Sequence, residues 1–162
     1  PMNDLTINGA DLNLTGISST LNFTGINAVP VTINDGHLNS AGSYNSGNLE
    51  INNASAIGSS ANAGDMFVMG TMTITGNDMF DNQNLMTVSG ALSISLNCVF
   101  TNYLNANLGS VSNGGTFDNQ GSVLVNGNLD KDGDLSSTAN NILITGNMNN
   151  NGDAMIIDSM DV

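Results

Sequence analysis

The stretch Phe80-Asp-Asn-Gln-Asn-Leu-Met-Thr-Val-Ser-Gly90 returns at an offset of 37 as Phe117-Asp-Asn-Gln-Gly-Ser-Val-Leu-Val-Asn-Gly127. A second stretch, Gly127-Asn-Leu-Asp-Lys-Asp-Gly-Asp134, returns at an offset of 19 as Gly146-Asn-Met-Asn-Asn-Asn-Gly-Asp153. The first offset is about twice the second, so both indicate one repeating unit of about 19 residues. Periods of this length are typical of solenoids, in which each unit forms one turn of a coil.

A short apolar-x-apolar alternation, closed by Gly, Asn or Asp, recurs along the chain. Its two-residue period is typical of a half-buried strand. The alternations begin at Leu12, Val31, Leu49, Met66, Met86, Val123 and Ile142. Including a degenerate unit near Gly109, they close at positions 16, 35, 53, 70, 90, 109, 127 and 146, so the steps between them are nearly constant.

The fold class follows from this repeat and from the scarcity of helix signals. No stretch as long as about three helical turns keeps the i, i+3, i+4 apolar spacing of a helix, and Asn, Gly, Ser and Thr are poor helix formers. A unit of this length has room for two or three strands but none for a crossover helix, so successive units must pair as parallel strands. We therefore predict a single all-β domain over residues 1–162, a parallel β-helix (β-solenoid) of about eight coils with roughly 17–20 residues each and a spacing of about 4.8 Å.

The composition fits such a coil. Inward positions take Leu, Ile, Val and Met, and the 19 Gly and 29 Asn residues supply corners that need φ > 0. Corner asparagines one coil apart, such as Asn128 and Asn147, are expected to bond amide to amide in ladders.

The charge balance excludes several classes of partner. The chain has 14 acidic residues against one Lys and no Arg, for a net charge of −13. Binding of nucleic acid through its phosphates needs several cations, so we expect no nucleic-acid partner. No apolar run approaches the roughly 20 residues that span a bilayer, so we expect no membrane insertion. This composition favours an extracellular or cell-surface protein.

The pattern from Gly127 to Ile144, Gly-x-Leu-x-(Asn/Asp)-x-Gly followed by an apolar alternation, resembles the coils of filamentous haemagglutinin-type bacterial adhesins. It is also similar to other Asn/Gly-rich β-helices of bacterial surfaces. The resemblance is good over residues 66–158 and loose over 1–65. It implies an elongated extracellular structural or adhesive protein without enzymatic activity.

Neither end of the chain carries a clear cap for the sheet edges that a β-helix exposes. The first predicted strand contains Leu5 and Ile7, the last contains Met155, Ile156 and Ile157, and Lys is missing from both. Stacking the top of one rod on the bottom of the next would pair these edges, and such a contact propagates as a filament. We expect a head-to-tail homopolymer; the alternative is a segment of a longer rod.

One motif contains ligands that suit a metal. Asp130, Asp132 and Asp134 alternate around a Gly like the opening of a calcium-binding loop, although Leu135 and Asn141 depart from that pattern. A constant offset of 19 would also stack Asp134 on Asp153 at about 4.8 Å. This predicts a Ca²⁺ site at these four residues, and the alternative is a solvated acidic turn. No other cofactor is expected.

Nothing in the sequence points to catalysis. His37 is the single histidine and stands in an Asp-Gly-His-Leu turn, so we expect it to face solvent. Lys131 has acidic neighbours and is expected to form a local ion pair, and Cys98 is expected to point into the core. Two binding functions stay open besides the filament: an adhesin segment that binds a surface ligand through a side face, and an ice-binding solenoid, for which Thr73 and Thr75 form one Thr-x-Thr pair.

Overall fold

Short strands with alternating burial form most of the described chain. A computed structural model describes residues 5–8, 12–14, 20–22, 31–34, 37–40, 43–53, 60–138, 142–152, 155–157 and 160–161. No helix occurs among these residues, and every strand pairing is parallel.

Twenty-two strands are described. The first eleven are β1 (Leu5–Asn8), β2 (Leu12–Leu14), β3 (Thr20–Asn22), β4 (Val31–Asn34), β5 (Leu38–Ser40), β6 (Ser43–Ser46), β7 (Leu49–Asn53), β8 (Ser60–Asn62), β9 (Met66–Val68), β10 (Met72–Gly76) and β11 (Met79–Asn82). The others are β12 (Leu85–Ile94), β13 (Val99–Asn102), β14 (Asn105–Asn113), β15 (Thr116–Asn119), β16 (Ser122–Val125), β17 (Leu129–Lys131), β18 (Asp134–Ser137), β19 (Ile142–Ile144), β20 (Met148–Asn150), β21 (Met155–Ile157) and β22 (Met160–Asp161).

Each turn of the coil contributes one strand to each of three faces. Face 1 consists of β1, β4, β7, β10, the second halves of β12 and β14, β17 and β20. Face 2 is an eight-stranded sheet of β2, β5, β8, β11, β13, β15, β18 and β21. Face 3 consists of β3, β6, β9, the first halves of β12 and β14, β16, β19 and β22. Because β12 and β14 bend from face 3 into face 1, those two faces form one 14-stranded sheet.

The predicted fold class, an all-β parallel β-helix, is confirmed. About five turns, from β7 to β19, are described with few gaps, so the number of turns described in this way is below the predicted eight. The shorter strands before β7 and after β19 extend the same three faces.

The predicted period holds in the second half of the chain. On face 1, Met72 pairs with Leu92, Leu92 with Val111 and Val111 with Leu129, so the sequence offsets are 20, 19 and 18. The closing glycines stack at the bend between faces 3 and 1, where the amide of Gly90 donates to the carbonyl of Gly70 at 2.9 Å.

The prediction that all the alternations occupy equivalent positions in successive coils is wrong in the first half of the chain. Leu12 lies on face 2 and pairs with Leu38, whereas Val31 pairs with Leu49 on face 1. Met66 lies on face 3 and pairs with Met86. Apolar alternations therefore occur on more than one face of a coil, and steps near 19 can join strands of different faces. The coils of this half also vary in length, because the offsets on face 1 are 26 from β1 to β4, 18 from β4 to β7 and 23 from β7 to β10.

Inward side chains stack in columns along the axis. On face 2, Phe80 lies parallel to Phe100 with ring centroids 6.0 Å apart, and Phe100 meets Phe117 edge to face at 5.1 Å. All three rings are fully buried. Burial of each such side chain contributes about 1.5–3 kcal/mol to the free energy of folding, so these columns are a main source of stability.

A row of amides closes face 2 on the inside of the coil. Nδ2 of Asn62, Asn82 and Asn102 each donates to Oδ1 of the asparagine in the next coil, at 3.0, 2.7 and 2.9 Å. Asn119 then donates to Oγ of Ser137 at 3.0 Å. These five side chains, called the amide row below, are buried.

Asparagine ladders were predicted, but at a different place. At the predicted pair, Oδ1 of Asn128 accepts from the backbone N–H of Asn147 at 3.0 Å, so that contact joins side chain to backbone.

Candidate functional site

The terminal coils have strand edges with one partner each. Within the described residues, β1, β2 and β3 pair only with β4, β5 and β6. At the other end, β20, β21 and β22 pair only with β17, β18 and β19. Leu5 and Ile7 lie in β1, and Met155, Ile156 and Ile157 form β21, so the structure places all five predicted assembly residues in edge strands.

The acidic loop places two of its aspartates at one cleft. Asp132 and Asp134 line a shallow cleft of about 260 Å³ whose other walls include Leu96 and Gly133. Asp130 lies apart from this cleft, on face 1 in register with Ser112. All three aspartates are exposed.

The fourth predicted ligand, Asp153, lies outside the described residues. Leu135 pairs with Met155, so the local offset is 20 and not the 19 on which the stacking of Asp134 and Asp153 was based. Among the described residues, no group of three or more His, Cys, Asp or Glu side chains could hold a metal ion. The Ca²⁺ site stays a prediction.

Lys131 is buried, and the predicted local ion pair with its acidic neighbours is wrong. Its side chain has no exposed area, and its Nζ donates to Oδ1 of Asn150 in the next coil at 3.1 Å. The reason is the strand alternation of β17, which directs Leu129 and Lys131 inward and Asp130 outward. The lone cation therefore belongs to an interior column, in register with Asn113 and Asn150.

His37 is also buried, with 8% of its surface exposed, so the prediction of a solvent-facing turn is wrong. Its Nδ1 lies 3.2 Å from Oδ1 of Asp78, and Oγ of Ser60 donates to Oδ2 of the same carboxylate at 2.8 Å. Asp78 is fully buried, and these two partners satisfy a carboxylate that would otherwise be costly to desolvate. His37 is therefore buried because it is one of the partners that compensate the desolvation of the Asp78 carboxylate.

This cluster does not have the geometry of a nucleophile and its base. The hydroxyl of Ser60 is directed at the carboxylate and not at the imidazole, and it also accepts from the backbone N–H of Leu38 at 3.0 Å. Sequence reasoning missed Asp78 and Ser60. The available signal was spacing, because Asp78 stands one coil before the inward-pointing Cys98, just as Met79 pairs with Val99.

Cys98 is buried in the core with 1% of its surface exposed, as predicted. Burial raises the pKa of its thiol, and the nearby carboxylate of Asp78 acts in the same direction. A protonated, enclosed thiol is a poor nucleophile, so this residue is a packing element.

The outside of face 3 carries an uncharged patch. The patch consists of two columns of outward-facing residues, each in register across adjacent strands. One column contains Leu85, Asn105 and Ser122, and the other contains Asn107, Leu124 and Leu143. These six residues, called the lateral patch below, line a groove of about 380 Å³. Leu85 and Leu143 expose 45% and 42% of their surface.

Comparison with known proteins leaves the fold as the defining feature of this chain. No family model, curated protein or solved structure matches it. In the part of the chain that the structure describes, no helix has the length and apolar character needed to cross a membrane. The class that the structure defines is a three-faced parallel β-solenoid.

Proposed function

We propose that the chain is a non-enzymatic structural subunit of an extracellular filament or matrix fibre, which grows by end-to-end stacking of coils. The observation that supports this is that, within the described residues, strands β1–β3 and β20–β22 pair on one side only. All strands run parallel, so a second subunit placed on the end extends all three faces with the same hydrogen-bond pattern. Unpaired strand edges readily recruit further strands.

The charge of the chain sets the conditions for this assembly. Two subunits of net charge −13 repel each other at low ionic strength. Salt screens such repulsion over a Debye length of about 10 Å at about 0.1 M. Polymerisation therefore strengthens with added salt, divalent cations or acid.

Electron microscopy and light scattering of the pure protein across a salt series test the proposal. We expect rods that lengthen as salt increases. A species that stays monomeric at high protein concentration under all of these conditions would overturn the proposal.

An end variant makes the test specific. Ile7 occupies the register position of Ile33, whose side chain is buried in the next coil. Ile7→Lys is expected to shorten or abolish the rods because it brings an ammonium group to the stacking contact. Ser93→Lys adds the same charge on the outside of face 1 and is expected to leave rod growth intact.

The alternative function is an adhesin segment that binds a surface ligand through a side of the rod. Tyr103 and Leu104, consecutive and exposed at 44% and 45%, favour this alternative because exposed aromatic and apolar neighbours are common in binding sites. Retention of the protein on immobilised glycans or host matrix proteins, lost in Tyr103→Ala, would support it.

A further inference from the structure

We propose that the lateral patch is a self-association surface that joins filaments side by side into bundles. This inference rests on the proposed filament and adds a second, independent contact to it. The occupant of the patch is the same patch on a second copy of this chain.

The distribution of charge favours a copy of the chain at this place. The six patch residues carry no ionisable group. Elsewhere on the described surface, Glu50 and Asp130 lie on the outside of face 1, and Asp81 and Asp118 lie on the outside of face 2. Two copies that met through face 1 or face 2 would bring carboxylates together, whereas two patches meet without like charges.

The patch is bounded by acid along the rod axis. Asp65, which is exposed, precedes β9 one coil before Leu85, and Asp161 occupies the register position after Leu143. The uncharged region is therefore four strands tall. These acidic borders oppose contacts in which two patches are out of register, so they select aligned pairs.

The shape of the patch suits contact with itself. The groove runs between the two columns, and the inward-facing Ala106 and Val123 lie at its floor. Leu85 and Leu143 stand at its rim and are exposed. In a two-fold contact, an exposed leucine of each copy can enter the groove of the other, which is the arrangement that an isologous interface requires.

The size of the patch explains why it acts only in filaments. Four strands about 4.8 Å apart, with about four residues of about 3.3 Å each, present roughly 250 Å². A stable dimer needs about 800 Å² from each partner. One subunit therefore has too little area to hold a second, but a filament repeats the patch in every subunit and the contacts add.

Differential sedimentation of the chain at about 0.15 M salt tests the inference. At this ionic strength, repulsion between charges more than about 8 Å apart is largely screened, whereas carboxylates in direct contact still repel each other. Bundles pellet at low speed, and single filaments pellet only at high speed. Leu124→Glu and Leu143→Glu place a carboxylate in the patch. We expect either substitution to lower the bundled fraction about tenfold or more while the total filament mass stays unchanged. Ser93→Glu adds the same charge on face 1 and is expected to bundle like the wild type.

The outcomes separate this inference from the proposed function. Wild-type filaments that never bundle would overturn the inference and leave the filament standing. Equal bundling of wild type and both patch variants would do the same, as would equal loss in Ser93→Glu. A wild-type chain that forms no filaments at any salt concentration would overturn both. Thermal melts of the two patch variants check that each is folded.

Discussion

Nδ2 of Asn82 donates to Oδ1 of Asn102 at 2.7 Å, across two adjacent coils of the solenoid interior. A carboxamide has both a donor and an acceptor, so one residue type satisfies its neighbours above and below at the strand spacing. The amide row is thus a continuous polar element within an apolar core. It fixes the register of face 2, because a slip of one residue would bury unpaired amides.

Substitution of Asn102 tests the amide row. Asn102→Leu removes the bonds to Asn82 and Asn119 and the bond from its own Nδ2 to the carbonyl of Ser122. Nδ2 of Asn82 keeps its bond to the carbonyl of Asn105, and Oδ1 of Asn119 keeps its bond from the N–H of Gly121. Because each intramolecular hydrogen bond contributes about 0.5–1.5 kcal/mol net, the loss of three is expected to lower the free energy of unfolding by about 3 kcal/mol. Chemical denaturation measures this value.

The exposed pair of Asn126 and Asn107 provides the matched control. Nδ2 of Asn126 donates to Oδ1 of Asn107 at 2.6 Å, again across one coil, but in contact with water. Asn126→Ala is expected to change the free energy of unfolding by less than about 0.5 kcal/mol. Similar losses in both variants would contradict the argument from burial.

The glycine column at the bend between faces 3 and 1 is expected to reject any side chain. A Cβ atom on Gly90 would lie 2.7 Å from the carbonyl oxygen of Gly70, and backbone cannot yield as a flexible side chain can. Gly90→Ala should lower the free energy of unfolding by about 1–3 kcal/mol, as overpacking does. The same substitution at Gly114, where the nearest atom is 3.4 Å away, should be nearly neutral in a thermal melt.

Lys131 is predicted to be dispensable for stability. Replacing a buried charged group by an apolar one of similar volume is often neutral or stabilising. Lys131→Met should therefore leave the melting temperature unchanged or raise it, whereas Lys131→Ala should lower it because a cavity remains. A melting temperature that falls equally in both variants would show that the hydrogen bond to Asn150 outweighs the desolvation of the ammonium group.

Tyr44 is predicted to carry a hydroxyl that lowers stability. The hydroxyl is buried beside the side chain of Ser46, and within the described residues neither oxygen has a hydrogen-bond partner of good geometry, so Tyr44→Phe should raise the free energy of unfolding by about 1 kcal/mol. Burial raises the pKa of the phenol, which means that the unfolded chain ionises at lower pH than the folded one. The stability of the wild type should then fall as pH rises above about 10, and Tyr44→Phe should lose less over that range.

The sequence allowed the fold class to be predicted because the two longest internal matches lie where coil lengths vary little. Lys131 and Asn150 pair at the same offset as the second match, and Phe80, Phe100 and Phe117 share the column that the first match indicates. From Gly70 onward, therefore, residues that match in the sequence repeats also occupy equivalent positions in successive coils.

The strands of the first half could not be assigned to faces from the sequence because the corners between them differ in length. Apolar alternations on more than one face of a coil offer several sets of near-regular steps, and only the observed strand pairing, such as that of Tyr44 with Met66, distinguishes them. The buried states of His37 and Lys131 were missed for a related reason. Both are polar residue types that usually lie at the surface. The alternation of β17 instead directs Lys131 inward, and His37 is buried against the carboxylate of Asp78.

The amide row also has a direction. Each Nδ2 donates toward the later coil, and every strand runs the same way, so the two tips of the rod are chemically different. A fibre built from such subunits has a plus tip and a minus tip, and elongation at each has its own rate constant. When such a fibre grows from a seed fixed to a surface, every added subunit has the same orientation as the seed, and no other factor is needed to determine that orientation.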